Sequence, residues 1–142
     1  MIQFETSVHI NRPREMVFDV VSDPQTYPRW NSAVQAVRPI GDASGRRAYR
    51  MERRLPSGRA ENLLEVISAT PPDEIVIRAS DGPTPFTYRY TLVDANGGTD
   101  LALEAEVELE GVTRLLGPLA GGAAKRGVDE NLASLKRLLE RH

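Results

Sequence analysis

Cysteine is absent from the 142 residues, so disulfides, thiolate nucleophiles and thiolate metal sites are excluded together. Imidazole is scarce as well: His9 and His142 are the only two histidines, too few to converge on a metal ion. A Ser-His-Asp relay has no base to draw on, since His142 is terminal and His9 falls on the strand face opposite Ile2, Phe4, Val8 and Ile10. Charge of one sign is lacking too. Eighteen basic residues against twenty acidic ones leave a formal net charge of -2, too weak a field to mark nucleic acid as a partner. No segment approaches the roughly 18 consecutive apolar residues of a membrane span. The opening MIQFETSVHI alternates instead of placing a basic stretch before an apolar run. A cytoplasmic location without integral membrane association is the expectation. The stretches GDASGRR and LAGGAAKRG lack the strand, loop and helix context of a phosphate cradle, so no nucleotide cofactor is expected, and no metal.

What is present is the make-up of a folded chain. Hydrophobic residues at 40% with 27% charged residues argue against disorder, and the length suits one domain spanning 1–142. Residues 2–10 alternate, with Ile2, Phe4, Thr6, Val8 and Ile10 on one face of a half-buried strand. A short helix follows, with Asn11 as its cap, Pro13 early, and Met16, Val17, Val20 and Val21 at helical spacing before Pro24. Alternating stretches then occupy 33–40, 46–55, 59–70, 74–80, 85–94 and 99–110, separated by GDASG, PSG, TPPDE, SDGPTP and DANGG. Connections this short permit hairpins only, so the sheet is antiparallel. Its clearest strand sets Leu101, Leu103, Ala105, Val107 and Leu109 against Glu104, Glu106, Glu108 and Glu110, which form a solvated stripe and not paired catalytic acids.

The last third changes period. Val112, Leu115, Leu116, Leu119, Ala123, Val128, Leu132, Leu135, Leu138 and Leu139 make one apolar stripe of a long helix, broken only around LGPLAGG, where Gly117, Pro118, Gly121 and Gly122 either kink its start or delay it to Pro118. The predicted architecture is α+β: a seven-stranded curved antiparallel sheet, two short helices and a long C-terminal helix laid over the apolar face. A straight rod on a twisted sheet cannot fill the concave side everywhere. Alanines 120, 123 and 124 beside Gly121, Gly122 and Gly127 lower the filling at one end, which favours a ligand cavity; the same small residues also suit close packing of helix on sheet.

The series HINRPREMVFDVVSDPQTYPRWN, the stretches TPPDEIVIR and GGTDLALEAEVEL, and the ending KRGVDENLASLKRLLE resemble the polyketide cyclase/dehydrase group of the START-like (SRPBCC) superfamily. The resemblance covers essentially the whole chain and implies the helix-grip fold of the birch-pollen allergen. It also implies that residues 24–29 form a second short helix against the open end of the sheet, anchored by Trp30. From the residues alone, Trp30 lies in a proline-bracketed segment, able to bury about 200 Å² while its indole N–H finds an acceptor. Pinning that segment is its expected task, with stacking on a ligand the sharper alternative.

Candidate ligand-binding positions follow from parity and from the small-residue end of the helix: Trp30, Tyr49, Met51, Arg53, Phe86, Tyr88, Tyr90, Leu103, Leu116, Ala120 and Ala123. Arg53 is read first as a surface arginine; were it to face inward with Tyr49 and Met51, it would have to sit near the cavity mouth or pair with a carboxylate, because an isolated buried guanidinium is costly, and binding of an anionic head group is then a further alternative. The register of Asn62 in 59–70 is ambiguous. No catalytic residue is assigned. The expected function is binding of a small hydrophobic molecule (lipid, polyketide, aromatic or isoprenoid) in the cavity. The resemblance also implies a cyclase, aromatase or dehydratase, in which Tyr88, Tyr90, Tyr49 or Arg53 would assist proton transfer, and a third reading is a chaperone-partner or toxin-type interaction module. Monomer and dimer are equally open.

Overall fold

The structure is a computed structural model and describes residues 1–43, 45–55, 58–108 and 118–141. Expectations that fall on Leu109, Glu110, Val112, Leu115, Leu116 and His142 lie outside those residues. The chain opens with strand β1, Ile2–Ile10, and then helix α1, Arg14–Val21. Asn11 does not cap α1. Pro13 occupies the capping position with no side-chain hydrogen bond, because the Asn11 side chain is engaged 3.0 Å from His9 Nε2. The apolar face of α1 is also rotated from the expected one: Val17, Phe18 and Val21 are buried, while Met16 is 43% exposed.

A 3-10 helix, Pro24–Arg29, follows. Asp23 caps it by accepting from the Gln25 amide at 3.0 Å, and Pro24 takes the first helical position, where no amide hydrogen is missed. Six strands complete the sheet: β2 Val34–Ala43, β3 Arg46–Leu55, β4 Gly58–Thr70, β5 Glu74–Ser80, β6 Phe86–Ala95 and β7 Gly98–Val107. All neighbours are antiparallel, in the order β1-β7-β6-β5-β4-β3-β2. β2 runs on through Gly41 and Asp42, which the sequence pattern assigned to a turn, by shifting register between Pro39 and Gly41. A further irregularity in β4 between Val66 and Ser68 adds to the bending of the sheet. The β6–β7 connection is a two-residue turn in which Asn96 and Gly97 both take positive φ, 51° and 80°, as a tight hairpin demands.

The terminal helix α2 is described over Pro118–Glu140. It is fastened along its length to the edge strand β1. Gly121 sits against Ile2, Thr6 donates to Asp129, Lys136 Nζ donates to the His9 carbonyl at 2.7 Å, and the Asn11 amide donates to Glu140 at 2.8 Å. From Gly121 to Glu140 a helix rises about 28 Å, and from Ile2 to Asn11 a strand rises about 30 Å, so the two elements stay in step.

That attachment decides where the core is solid. Ile10 on β1, Val17 and Val21 on α1, Leu92 on β6, Leu101 on β7 and Leu132 and Leu135 on α2 are all 2% exposed or less. They gather where α1 packs on β6 and β7. The other end of the same sheet face, toward Phe4 and Phe86, is covered by the alanine and glycine part of α2. Among the described residues no helix is long and apolar enough to cross a membrane.

Candidate functional site

At that thinly covered end lies a cavity of about 390 Å³, within the roughly 300–1,000 Å³ typical of small-molecule sites. Its sheet wall is built by alternation. On β6, Phe86, Tyr88 and Tyr90 point the same way, and on β3 Met51, Arg53 and Leu55 do so. Ile77 of β5, between them, joins the two rows, while Phe4 and Val107 close the β1 side. Facing the sheet, α2 contributes Ala123, Ala124, Gly127, Val128 and Asn131, a single stripe at helical spacing. A Cβ placed on Gly127 would meet nothing within 4 Å, so this helix face stands clear of the sheet instead of packing on it.

The remaining wall comes from the segment 27–34. Trp30 is 4% exposed; its ring packs edge-on to Tyr27 at 5.2 Å, and its indole N–H donates to Thr26 Oγ1 at 3.3 Å. Thr26 in turn donates from its hydroxyl to the Val20 and Asp23 carbonyls, each at 2.8 Å, and Tyr27 donates to the Val21 carbonyl at 3.1 Å. The aromatic pair thus pins the 3-10 helix to α1 and also forms one side of the cavity. Both tasks weighed for Trp30 are open to the same ring.

Arg53 is not a surface arginine. It is 8% exposed and lines the cavity, because the β5–β6 loop folds over it. Its Nε–H donates to Asn62 Oδ1 at 2.9 Å, and Nη2 donates to the Pro83 carbonyl at 2.6 Å, the Thr84 carbonyl at 3.2 Å and Thr84 Oγ1 at 2.8 Å. Asn62, whose register the sequence left open, is fully buried and donates to the Ser80 and Pro83 carbonyls, both at 3.3 Å. The loop is bolted from outside as well: Asp81 accepts from the Leu63 amide at 2.6 Å and from Arg50 at 2.8 Å. Gly82 has no room for a side chain, since a Cβ there would lie 2.3 Å from the Glu61 carbonyl oxygen and 2.8 Å from Asn62 Nδ2. The guanidinium also rests 5.5 Å from the centre of the Phe86 ring, a cation–π distance.

Burial sets the protonation of the walls. It lowers the Arg53 guanidinium from its ordinary value, with neighbouring Tyr88 opposing that in part. Burial pushes the Tyr88 phenol up to about 12, offset somewhat by Arg53, and drives Tyr90 well above the usual phenol, helped by Tyr27 and Tyr88. Near neutral pH both phenols are therefore hydrogen-bond donors and not bases. Among the described residues no histidine, aspartate or glutamate lines the cavity, and no cluster of three or more metal-ligating side chains occurs. The arrangement can hold an apolar body and donate hydrogen bonds to an acceptor on it.

Of the positions singled out from the sequence, Trp30, Met51, Arg53, Phe86, Tyr88, Tyr90 and Ala123 stand in the cavity wall. Tyr49 and Leu103 do not. Tyr49 has the parity of Met51 and Arg53 but is packed in the core, near enough to Tyr27 to raise that phenol further. Leu103 pairs with Thr6, whose hydroxyl is tied to Asp129 of α2, so the helix covers it and leaves it 1% exposed. Leu116 and the side chain of Ala120 lie outside the described residues. Among the wall residues that were missed, Phe4, Leu55 and Val107 carried a signal, the parity of their strands, and Tyr27, Thr84 and Asn131 carried none.

The geometry agrees with the comparisons. The chain shares its fold with a START superfamily protein from Mycobacterium smegmatis, at a TM-score of 0.84 and 18% identity, covering 98% of this chain and 97% of that one. Ara h 8.0201 is similar at a TM-score of 0.75 and 14% identity over 99% of this chain and 98% of the other. The di-domain ARO/CYC StfQ from the steffimycin biosynthetic pathway matches at a TM-score of 0.76 and 15% identity, with all of this chain covering 45% of that one. No curated protein matches the chain. The family described as polyketide cyclase / dehydrase and lipid transport matches residues 1–140. With a seven-stranded antiparallel sheet and a long terminal helix enclosing a hollow, the chain belongs to that family.

Proposed function

We propose that the chain is a cytoplasmic binding protein for a small hydrophobic molecule of the lipid, polyketide, aromatic or isoprenoid kind. The observation that carries this reading is the cavity itself, about 390 Å³ walled by Phe4, Trp30, Met51, Ile77, Phe86 and Val107. Apolar burial at about 25 cal/mol per Å² supplies the affinity before ordering costs are subtracted, and the few polar wall groups orient the guest. The family description, which names lipid transport beside cyclase and dehydrase, supports the same reading. The test is a titration with the neutral fluorophore N-phenylnaphthylamine, followed by energy transfer from Trp30, the only tryptophan. Saturation at one probe per chain with quenching of Trp30 is expected. Probe emission that rises without saturating, and leaves Trp30 unchanged, would contradict it.

A second reading is favoured by one observation: Arg53 and Tyr88 line the same cavity, a donor pair for a carbonyl that gains negative charge. In a cyclase or dehydratase they would hold that oxygen while the apolar wall folds the rest of the chain. Slower turnover of a polyketone in Tyr88→Phe than in the parent is the outcome this reading requires; no turnover by either, or unchanged rates, counts against it. A surface-based interaction module has less support. Among the described residues the exposed large apolar side chains, Met1, Met16, Ile40 and Val93, sit apart on the chain.

A further inference from the structure

The uncommitted polar groups of the cavity share one property. Arg53 donates through Nε and Nη2 to neutral oxygens only, and among the described residues Nη1 has no acceptor and no carboxylate comes within salt-bridge distance of the guanidinium. The Thr84 hydroxyl accepts from Arg53 and keeps its own proton to give. Among the described residues the Tyr88 hydroxyl has no partner. Asn31 and Asn131 have spent their side-chain oxygens on the Ala33 and Ser32 amides and retain their NH2 groups. Every other basic side chain buried this deeply would be expected to carry an acid beside it, because an uncompensated cation in apolar surroundings is costly. Here, among the described residues, the wall supplies donors and a positive charge, and no acid.

We propose that the guest carries a carboxylate and that Arg53 Nη1 seats it, with the apolar body extending between Phe86 and the small-residue face of α2. This rests on the binding reading above and narrows it to a ligand class: an amphiphilic organic acid in place of a neutral hydrophobe. An ionised carboxylate is acceptor-only, which matches a wall whose free groups donate, and its charge supplies a counter-ion that Arg53 does not find among the described residues. The placement is firm because Asn62, Pro83, Thr84 and the close approach of Gly82 fix the guanidinium from the far side.

The experiment displaces bound N-phenylnaphthylamine with two competitors of the same shape, naphthoic acid and naphthylmethanol, at neutral pH. The acid is expected to act at about ten- to a hundred-fold lower concentration than the alcohol, the range of a hydrogen bond to a charged group. In Arg53→Gln that preference should vanish while the fluorophore and the alcohol still bind, and in Arg53→Lys, which keeps a point charge but loses the fork, part of it should remain. Equal displacement by acid and alcohol in the unsubstituted protein overturns the anion seat and leaves the binding reading standing, as does an undiminished preference in Arg53→Gln. Failure of the fluorophore and both competitors to bind overturns the binding reading and the anion seat with it. The comparison in the unsubstituted protein and in Arg53→Lys decides the matter if Arg53→Gln does not fold.

Discussion

A tryptophan between two prolines is held by a hydroxyl: Trp30 gives its indole hydrogen to Thr26, and Thr26 ties that to the end of α1. Trp30→Ala removes both the packing on Tyr27 and a cavity wall, and a loss of about 3–5 kcal/mol in urea unfolding is expected, as for other buried large aromatics. Gly82 is the second residue on which the site turns. Gly82→Ala forces a methyl toward the Glu61 carbonyl and the Asn62 amide, which should cost about 1–3 kcal/mol, the usual toll of overpacking, and loosen the grip on Arg53. A midpoint within experimental error of the parent would contradict that account. Residue parity told that Phe86, Tyr88 and Tyr90 share one face of their strand and Met51 and Arg53 one face of theirs, since a strand repeats every two residues, but left open which face of 46–55 turns inward. Parity carries no depth, however, and so Tyr49 and Leu103 were placed with them although they lie under packed core. The burial of Arg53 was illegible for another reason: besides Asn62, its acceptors come from Pro83 and Thr84, some thirty residues along the chain.

The element that makes the hollow is α2. Its hydrogen bonds go mainly to β1 and the residues just after it, and its leucines pack at the α1 end, so the small-residue part of its inner face is free to stand off from β3, β5 and β6. Gly127 lies on that face with open space ahead of it. Gly127→Leu should therefore separate stability from binding. The substitution gains about 0.5–1 kcal/mol from better helix propensity and places an isobutyl group in the cavity, so the unfolding midpoint rises while N-phenylnaphthylamine affinity falls. If stability and affinity moved down together, α2 would be packed on the sheet and the cavity would be no cavity. The helix was readable from its leucine spacing, while its start among Gly117 to Gly122 was left open; its attachment to one edge strand was not readable, because that depends on matching rises of about 1.5 and 3.3 Å per residue between elements over a hundred residues apart. The misassigned turn at Gly41 and Asp42 has the same origin, a register shift that lets β2 continue beside β3.

At the scale of the whole molecule, one end of the sheet is filled and the other is hollow, and three surface carboxylates hold the frame. Asp81 is held below the ordinary carboxylate range by its hydrogen bond from Arg50, Asp129 by that from Thr6, and Glu140 by that from the Asn11 amide. A folded-state value below the unfolded one means that the unfolded chain takes up protons first as acid is added, so this stabilisation is present at neutral pH and is lost as pH falls below about 4. Thermal unfolding should be nearly flat around neutrality and drop through that window; a melting temperature that rises on acidification would contradict the assignment. The central claim is that a hydrophobic guest enters the space between the sheet and α2. Native mass spectrometry of the protein and of Gly127→Leu, each incubated with N-phenylnaphthylamine, tests it most directly. One probe retained per parent chain and little or none on the variant is the predicted result, and equal loading of both would place the guest somewhere other than the cavity.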